Sequence, residues 1–290
     1  MRDQLTTSWT ETDFADGPIA SLSSEPASNS MAQGEIIAGG NRNYLMICNK
    51  ADFVKHYDDL IRGREFVEYE SYYENSVTRF WKAFDHIQRL DLPPSARVLD
   101  IGGGIMGVLL ARIHGMKVTV GDVNRRAAED INGFGIPFVE LNLMSDTQLP
   151  QEQFDLVILQ EVIGHIPQPP YIVFDRIQGF LKSGGILFLT TPNGSRFRNV
   201  LYLLAGKQVL DHFRYPEGTE SLGAQHEYTL GQMTWQFERA GMQILFAKQY
   251  TCGWAGATLW AWLAHRLVAP AALIPHLRNG LMLAARKPAD

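Results

Sequence analysis

The residues best suited to chemistry stand around one loop, Asp100-Ile101-Gly102-Gly103-Gly104-Ile105-Met106-Gly107. Glycines let backbone approach a ligand closely, and a helix that opens after such a loop points its amide dipole at it. Asp100 stands two residues before the first glycine, in the apolar run Arg97-Val98-Leu99-Asp100-Ile101. A carboxylate at the end of a buried strand is costly unless it meets a cation or a donor-rich partner. Asp122, twenty residues after Gly102, ends the next apolar run. A carboxylate there can accept from two neighbouring hydroxyls at once. His165 and His226 bring imidazoles, which titrate near neutrality and can accept a proton.

Two ligands fit the loop. Gly102, Gly104 and Gly107 satisfy the G-x-G-x-x-G pattern of dinucleotide sites, with Asp122 where the ribose-binding acid belongs. S-adenosylmethionine fits equally well. Asp100 separates the two, because the ammonium of a methionine moiety suits a carboxylate and a pyrophosphate would repel it. Blander roles stand beside these. Asp100 could brace loop amides, Asp122 could cap a helix starting near Asn124, and each histidine could pin a loop by a structural hydrogen bond.

Such residues need a scaffold that brings strand ends to one edge. Short apolar runs at 97–101, 117–121, 137–141, 154–159 and 185–190 read as strands, with helical segments between most of them. This alternation predicts a parallel sheet with helices on both faces. Two later strands fall near 243–248 and 281–286. Over 65–90, Phe66, Tyr69, Tyr73, Val77, Phe80, Trp81, Phe84 and Ile87 recur at helical spacing, and Asp91-Leu92-Pro93-Pro94 ends the segment. Tyr72 and Tyr73 either close over a cofactor or pack into the core, with packing favoured. The expected division is a flexible tail over 1–40, a helical cap over 41–94 and the main domain over 95–290.

Composition narrows the class. A chain of 290 residues suits one sizeable domain with elaborations. The formal charge of −5 argues against a dedicated nucleic-acid binder, so no nucleic-acid partner is expected. Cys48 and Cys252 have neither metal spacing nor a disulfide framework, so no metal site is expected and a reducing cytoplasm is the default. Arg2 is followed by polar residues, so no secretory signal is expected.

Four segments, in order, resemble the motifs of the class I S-adenosylmethionine-dependent methyltransferases. Val98-Leu99-Asp100-Ile101-Gly102-Gly103-Gly104 resembles the glycine motif, and Val120-Gly121-Asp122-Val123 the ribose-binding strand end. Phe154-Asp155-Leu156-Val157 with Glu161-Val162-Ile163-Gly164-His165 is similar to the fourth-strand signature F-D-x-V…E-V-I-E-H. Leu181-Lys182-Ser183-Gly184-Gly185, followed by Thr190-Thr191-Pro192-Asn193, is similar to L-K-P-G-G…S-T-P-N around strand five. The resemblance covers about 95–290 and points to the small-molecule, glycan-cluster and quinone-type enzymes. It implies a doubly wound, Rossmann-like α/β sheet of seven strands, order 3-2-1-4-5-7-6, the seventh antiparallel, behind the N-terminal helical cap.

It also implies S-adenosylmethionine as cofactor, with Asp100, Gly102, Gly103, Gly104 and Asp122 in contact with it. Val123 beside Asp122 and Gln160 at the end of strand four join that set. An adenine contact is implied at the end of strand three, where Asn142 and Leu143 stand in place of the frequent acid. The chain departs from the pattern elsewhere. The third glycine comes at Gly107 rather than at Met106, Gly164 replaces a glutamate, and Ser183 replaces a proline.

Methyl transfer from a sulfonium is an in-line displacement, so alignment and exclusion of water matter more than a covalent nucleophile. A hydroxyl acceptor adds the need for a base. His165 follows strand four. His226 lies in Gln225-His226-Glu227-Tyr228-Thr229, which resembles the G-H-x-R-E-Y-T stretch of small-molecule and glycan-cluster enzymes. Insertions at 196–215 and 252–279 are expected to shape the acceptor pocket, the first as an amphipathic helix, the second as a hydrophobic lid or interfacial surface. A transmembrane reading of 253–275 fails because strands on either side of it must share one sheet. A peripheral membrane or lipid contact and a homodimer contact are the two expected uses of that surface.

The chain lacks the N-P-P-Y/F type of sequence used to methylate base amino groups, which favours oxygen on a small molecule. Two other classes compete. A nicotinamide-dependent oxidoreductase leaves the strand-four and strand-five motifs unexplained. A non-catalytic S-adenosylmethionine-binding module would keep Asp100 and Asp122 without turnover.

Overall fold

The computed structural model describes residues 47–64, 66, 70–93, 95–145, 152–210, 223–252 and 273–289. The tail expected over 1–40 lies outside the described residues, as do 211–215 of the first insertion and 253–272 of the second.

Seven strands form one sheet: β1 (Arg97–Ile101), β2 (Lys117–Asp122), β3 (Phe138–Glu140), β4 (Phe154–Gln160), β5 (Leu181–Pro192), β6 (Gln243–Tyr250) and β7 (Gly280–Arg286). Their order is β3-β2-β1-β4-β5-β7-β6, the order the resemblance implies. β7 runs antiparallel to both β5 and β6, and the other pairings are parallel. β1, β4 and β7 are buried along nearly their whole length, because helices cover both faces and no strand side is left for water.

On one face lie α1 (Lys50–Ile61), α2 (Glu70–Ile87) and α3 (Ile105–His114). Phe53, Tyr57 and Ile61 of α1 and Phe80, Phe84 and Ile87 of α2 share a single core with Leu109 of α3 and Phe188 and Met282 of the sheet. The N-terminal helices therefore complete the cover of this face. Tyr73 packs against Tyr57 and donates to Asp58 at 2.6 Å, which is the packing role, whereas the Tyr72 side chain lies outside the described residues. α1 begins at Asn49, whose side-chain oxygen accepts the Asp52 amide at 3.0 Å.

The opposite face carries α5 (Pro170–Phe180) and α7 (Leu230–Arg239), where Phe174 and Phe237 stack with ring centroids 4.3 Å apart. α7 opens on a reciprocal capping box between Thr229 and Gln232.

Several boundaries differ from the sequence reading. Of the helix expected over 65–90 the structure describes Glu70–Ile87, with positions 65 and 67–69 outside the described residues, and strand five extends to both sides of 185–190. α4 (Ala128–Gly133) does not start near Asn124. There Asp122 accepts the Asn124 amide at 2.8 Å and Asn124 accepts the Arg126 amide at 2.9 Å. Two side-chain turns in succession divert the backbone before a helix can begin, so Asp122 caps no helix. α6 (Phe197–Leu204) is shorter than the 196–215 insertion, and the chain leaves it through Gly206 at φ 66°. Among the described residues no helix is long and apolar enough to cross a membrane.

Asn193, fully buried after β5, ties the late part of the chain to this edge. Its amide nitrogen donates to the carbonyls of His276 (2.9 Å) and Arg278 (2.7 Å), and its oxygen accepts from Ser195 N and Oγ. Asn193→Ala would take the side-chain donor from the Arg278 carbonyl and leave the His276 carbonyl with the Ser195 hydroxyl alone, at 2.7 Å. We expect a loss of about 2–3 kcal/mol of stability in urea titrations.

Candidate active site

β1 and β4 lie side by side at the centre of the sheet, and their carboxyl ends open a crevice where the strand order reverses. The loop after β1 turns through Gly102, Gly103 and Gly104 with φ of 96°, 84° and 83°. Three successive left-handed residues are open only to glycine at low cost. Space demands glycine as well, since a Cβ on Gly102 would stand 2.2 Å from Val162 Cγ2.

Asp100 is 1% exposed and accepts the Gly107 amide at 2.7 Å. Its carboxyl is pushed up to about 7: burial raises it most, the Gly107 bond offsets part of that, and the Asp122 charge adds to the rise. Gly107 sits inside α3, and a Cβ there would meet Val118 at 2.8 Å and Asp100 Cβ at 3.1 Å. The late glycine is thus a packing residue that lets α3 approach β1, and the loop proper ends at Gly104. Asp122 accepts the Gly103 amide at 2.7 Å as well as that of Asn124, so one carboxylate holds the glycine loop and the end of β2 together.

One cavity is lined by Asp100, Gly102, Gly103 and Gln160, with Ile105 and Met106 of α3 beneath. Gln160 is 8% exposed, and neither atom of its amide has a hydrogen-bond partner among the described residues. A buried amide with nothing to bind is costly and suits a ligand that supplies donor and acceptor. The glycine cradle, the buried acid and this amide together fit the methionine portion of S-adenosylmethionine.

Part of the wall comes from residues whose place in a site was not legible in the sequence. Phe66, Arg79 and Phe80 come from the N-terminal helical region, and Glu161 follows β4. Arg79 Nη1 lies 3.8 Å from Glu161 Oε2, and Glu161 Oε1 accepts the Thr190 hydroxyl at 2.9 Å. Glu161 stood inside the fourth-strand motif and was the available signal. Arg79 left none, because helical spacing does not tell which polar residue of an amphipathic helix faces a cleft.

The other expected residues are placed apart from this cavity. Val123 is 61% exposed beyond Asp122. Asn142 uses its side-chain oxygen on the Met144 amide at 2.9 Å, and the buried Leu143 gives its carbonyl to Arg176 at 2.5 Å. His165 closes a single 3-10 turn (Ile163–His165), and its Nδ1 meets the Gly223 carbonyl at 2.7 Å. The Gly164 carbonyl accepts the amides of Gln225 (2.7 Å) and His226 (3.1 Å). A Cβ on Gly164 would lie 2.7 Å from the His226 carbonyl oxygen, which explains why the motif's glutamate is absent. The two histidine segments thus touch through backbone. The His226 ring is exposed, edge-on to Tyr228. Its neighbour Glu227 points inward instead, paired with Arg196 and bonded by Asn199 at 2.6 Å, and fixes the start of α6.

A family model described as a methyltransferase domain matches residues 72–246. The ubiquinone biosynthesis O-methyltransferase of Actinobacillus pleuropneumoniae is 30% identical over 135 residues, 42% of this chain and 56% of that protein. That of Xanthomonas oryzae pv. oryzae is 36% identical over 113 residues, 36% of this chain and 46% of that protein. The chain spans about half the length of the curated relatives it matches. Among solved structures, a SAM-dependent methyltransferase of Thermotoga maritima superposes with a TM-score of 0.51 at 15% identity, covering 76% of this chain and 95% of that one. One from Methanosarcina mazei gives 0.50 at 18% identity, covering 70% and 98%. With the strand order and four ordered motifs, the match over more than half of the 290 residues settles the family: the chain belongs to the class I S-adenosylmethionine-dependent methyltransferases.

Proposed function

We propose that the chain transfers the methyl group of S-adenosylmethionine to an oxygen of a small hydroxyl-bearing molecule of lipid or sugar type. The observation that carries this reading is the single cavity gathering Asp100, the glycine loop and the unpartnered Gln160 amide. Bound there, the cofactor supplies an electrophilic methyl on a sulfonium. The protein's own residues do the rest. Asp100 receives the ammonium of the methionine moiety, and Arg79 faces its carboxylate. Asp122, already oriented by two amides, accepts from the ribose hydroxyls. Gln160 bonds the methionine end from the β4 side, while Val123, Asn142 and Leu143 line the adenine end. Ile105, Met106 and Phe80 exclude water from the reacting centre.

His165 and His226 remain candidates for loop positioning near the acceptor, with the Gly223 bond supporting that role for His165. The names of the relatives support oxygen as the acceptor atom. The acceptor side also supports a lipid contact. Leu203 and Leu204 of α6 are 67% and 81% exposed, and Leu273 is 80% exposed. The α6 stretch from 193 to 210 carries Arg196, Arg198 and Lys207 and no acid. Such a surface suits peripheral attachment from the cytoplasmic side, with a homodimer contact as the other occupant.

The test is transfer of label from methyl-labelled S-adenosylmethionine to hydroxyl compounds, beginning with a nonyl-substituted catechol. Label on the catechol oxygen is expected, and the analogue with both oxygens already methylated should take none. Label appearing only on nitrogen substrates would contradict the reading.

Leu203→Glu with Leu204→Glu should reduce co-sedimentation with phosphatidylglycerol vesicles by about tenfold and leave transfer to soluble acceptors unchanged. Equal vesicle binding would remove α6 from any membrane contact.

A further inference from the structure

A hydroxyl acceptor needs a group to receive its proton, and neither histidine lines the cavity. Asp100 lies beneath the loop with one oxygen committed to the Gly107 amide. The remaining acid on the cavity wall is Glu161. Its backbone is left-handed, φ 58°, a conformation that a residue with a side chain adopts only under strain. Nothing in the turn itself requires an acid there, since a glycine would relieve the strain. The side chain is nonetheless held on both sides. Thr190 donates to Oε1 at 2.9 Å, and the Arg79 guanidinium stands 3.8 Å from Oε2. That second distance is beyond a direct hydrogen bond, so the two charges attract without being locked. The Glu161 charge also reaches the end of β6, where it adds to burial in pushing up Tyr250 and Cys252.

We propose that Glu161 is the catalytic carboxylate that takes the proton of the acceptor hydroxyl, held by Arg79 until Arg79 turns to the methionine carboxylate. This rests on the methyl-transfer reading above. Arg79 is the one cation lining the cavity among the described residues, so Glu161 and an incoming carboxylate compete for it. Once Arg79 has turned away, Glu161 Oε2 is open to the acceptor hydroxyl while Oε1 keeps the Thr190 bond.

The step balances. The hydroxyl oxygen forms its bond to the methyl carbon as the carbon–sulfur bond breaks. Sulfur keeps that electron pair and loses its positive charge, and the hydroxyl proton passes to Glu161. One cation and one anion become two neutral groups, with no oxidant or metal required.

Glu161→Gln keeps the shape and the Thr190 bond but removes the charge. Titration calorimetry should show S-adenosylmethionine binding about three- to tenfold tighter than in the wild type, because Arg79 has lost its competitor. Methyl transfer to the nonyl-substituted catechol should fall about a hundredfold at pH 7, and the acid limb of its pH profile should flatten. Glu161→Asp, which keeps the charge, should bind the cofactor like the wild type and retain part of the turnover. Unchanged or weaker cofactor binding by Glu161→Gln overturns the exchange of partners. Wild-type turnover in Glu161→Gln overturns the proton transfer. A wild-type protein that binds the cofactor but methylates no catechol overturns the acceptor reading instead, and the affinity comparison still decides the exchange.

Discussion

Asp100→Asn is expected to weaken S-adenosylmethionine binding about 10- to 100-fold and, in the cofactor-free protein, to raise stability at pH 8. The two effects share one cause. The carboxyl is 1% exposed, and burial raises it to about 7 from an ordinary value near 3.8. Between those two values the native protein holds a proton that the unfolded chain has released. Stability therefore falls as pH rises through that window and levels off above pH 7. Asn removes the ionisation while its oxygen still accepts from the Gly107 amide. Its amide hydrogens need a partner in turn, which limits the net gain to about 1–3 kcal/mol at pH 8, with little or none near pH 4. Thermal unfolding of both proteins from pH 4 to pH 8 reads this directly. Parallel profiles would show that Asp100 does not titrate in that window. With cofactor present the sign reverses, because the ammonium favours the ionised acid. Wild-type affinity should fall as pH drops below 7, and Asp100→Asn should lose that dependence.

Gly102→Ala should remove cofactor binding altogether. Two costs add. The backbone at φ 96° is hard for any residue with a side chain, and the new Cβ would stand 2.2 Å from Val162 Cγ2. The first cost is about 1–2 kcal/mol, and the second forces either the loop or the turn after β4 to move. Both border the cavity. Adding Val162→Ala should recover part of the melting temperature by relieving the clash and should not recover binding, since φ is unchanged. Full recovery of binding in the double variant would show that the loop conformation matters less than the space around it. Gly103 gives a useful contrast. A Cβ there would meet nothing within 4 Å, so Gly103→Ala carries the backbone cost alone.

What the sequence made legible followed from local rules. Strand runs between helical segments dictated the sheet, and Asp100 and Asp122 came out at strand ends because apolar runs stop there. Gly107 was ambiguous in one dimension, where a pattern cannot say whether a glycine serves a ligand or a neighbouring strand. Packing against Val118 answers that. The departure at Gly164 was equally opaque until the backbone of 225–226 was seen to cross it. Arg79 and Glu161 meet from elements about 80 residues apart in the chain, so no local pattern could pair them. His165 drew notice as a titratable residue near a strand end. Its bond to Gly223 is a long-range contact that composition and spacing do not encode.

S-adenosylmethionine is expected to bind in the cavity at the ends of β1 and β4. Titration calorimetry of the full chain with S-adenosylmethionine, S-adenosylhomocysteine and NAD tests it most directly. One site is expected for each of the first two ligands and no heat of binding from NAD, with S-adenosylmethionine binding weakened about 10- to 100-fold in Asp100→Asn and absent in Gly102→Ala. Binding of NAD with no response to either adenosyl ligand would contradict it.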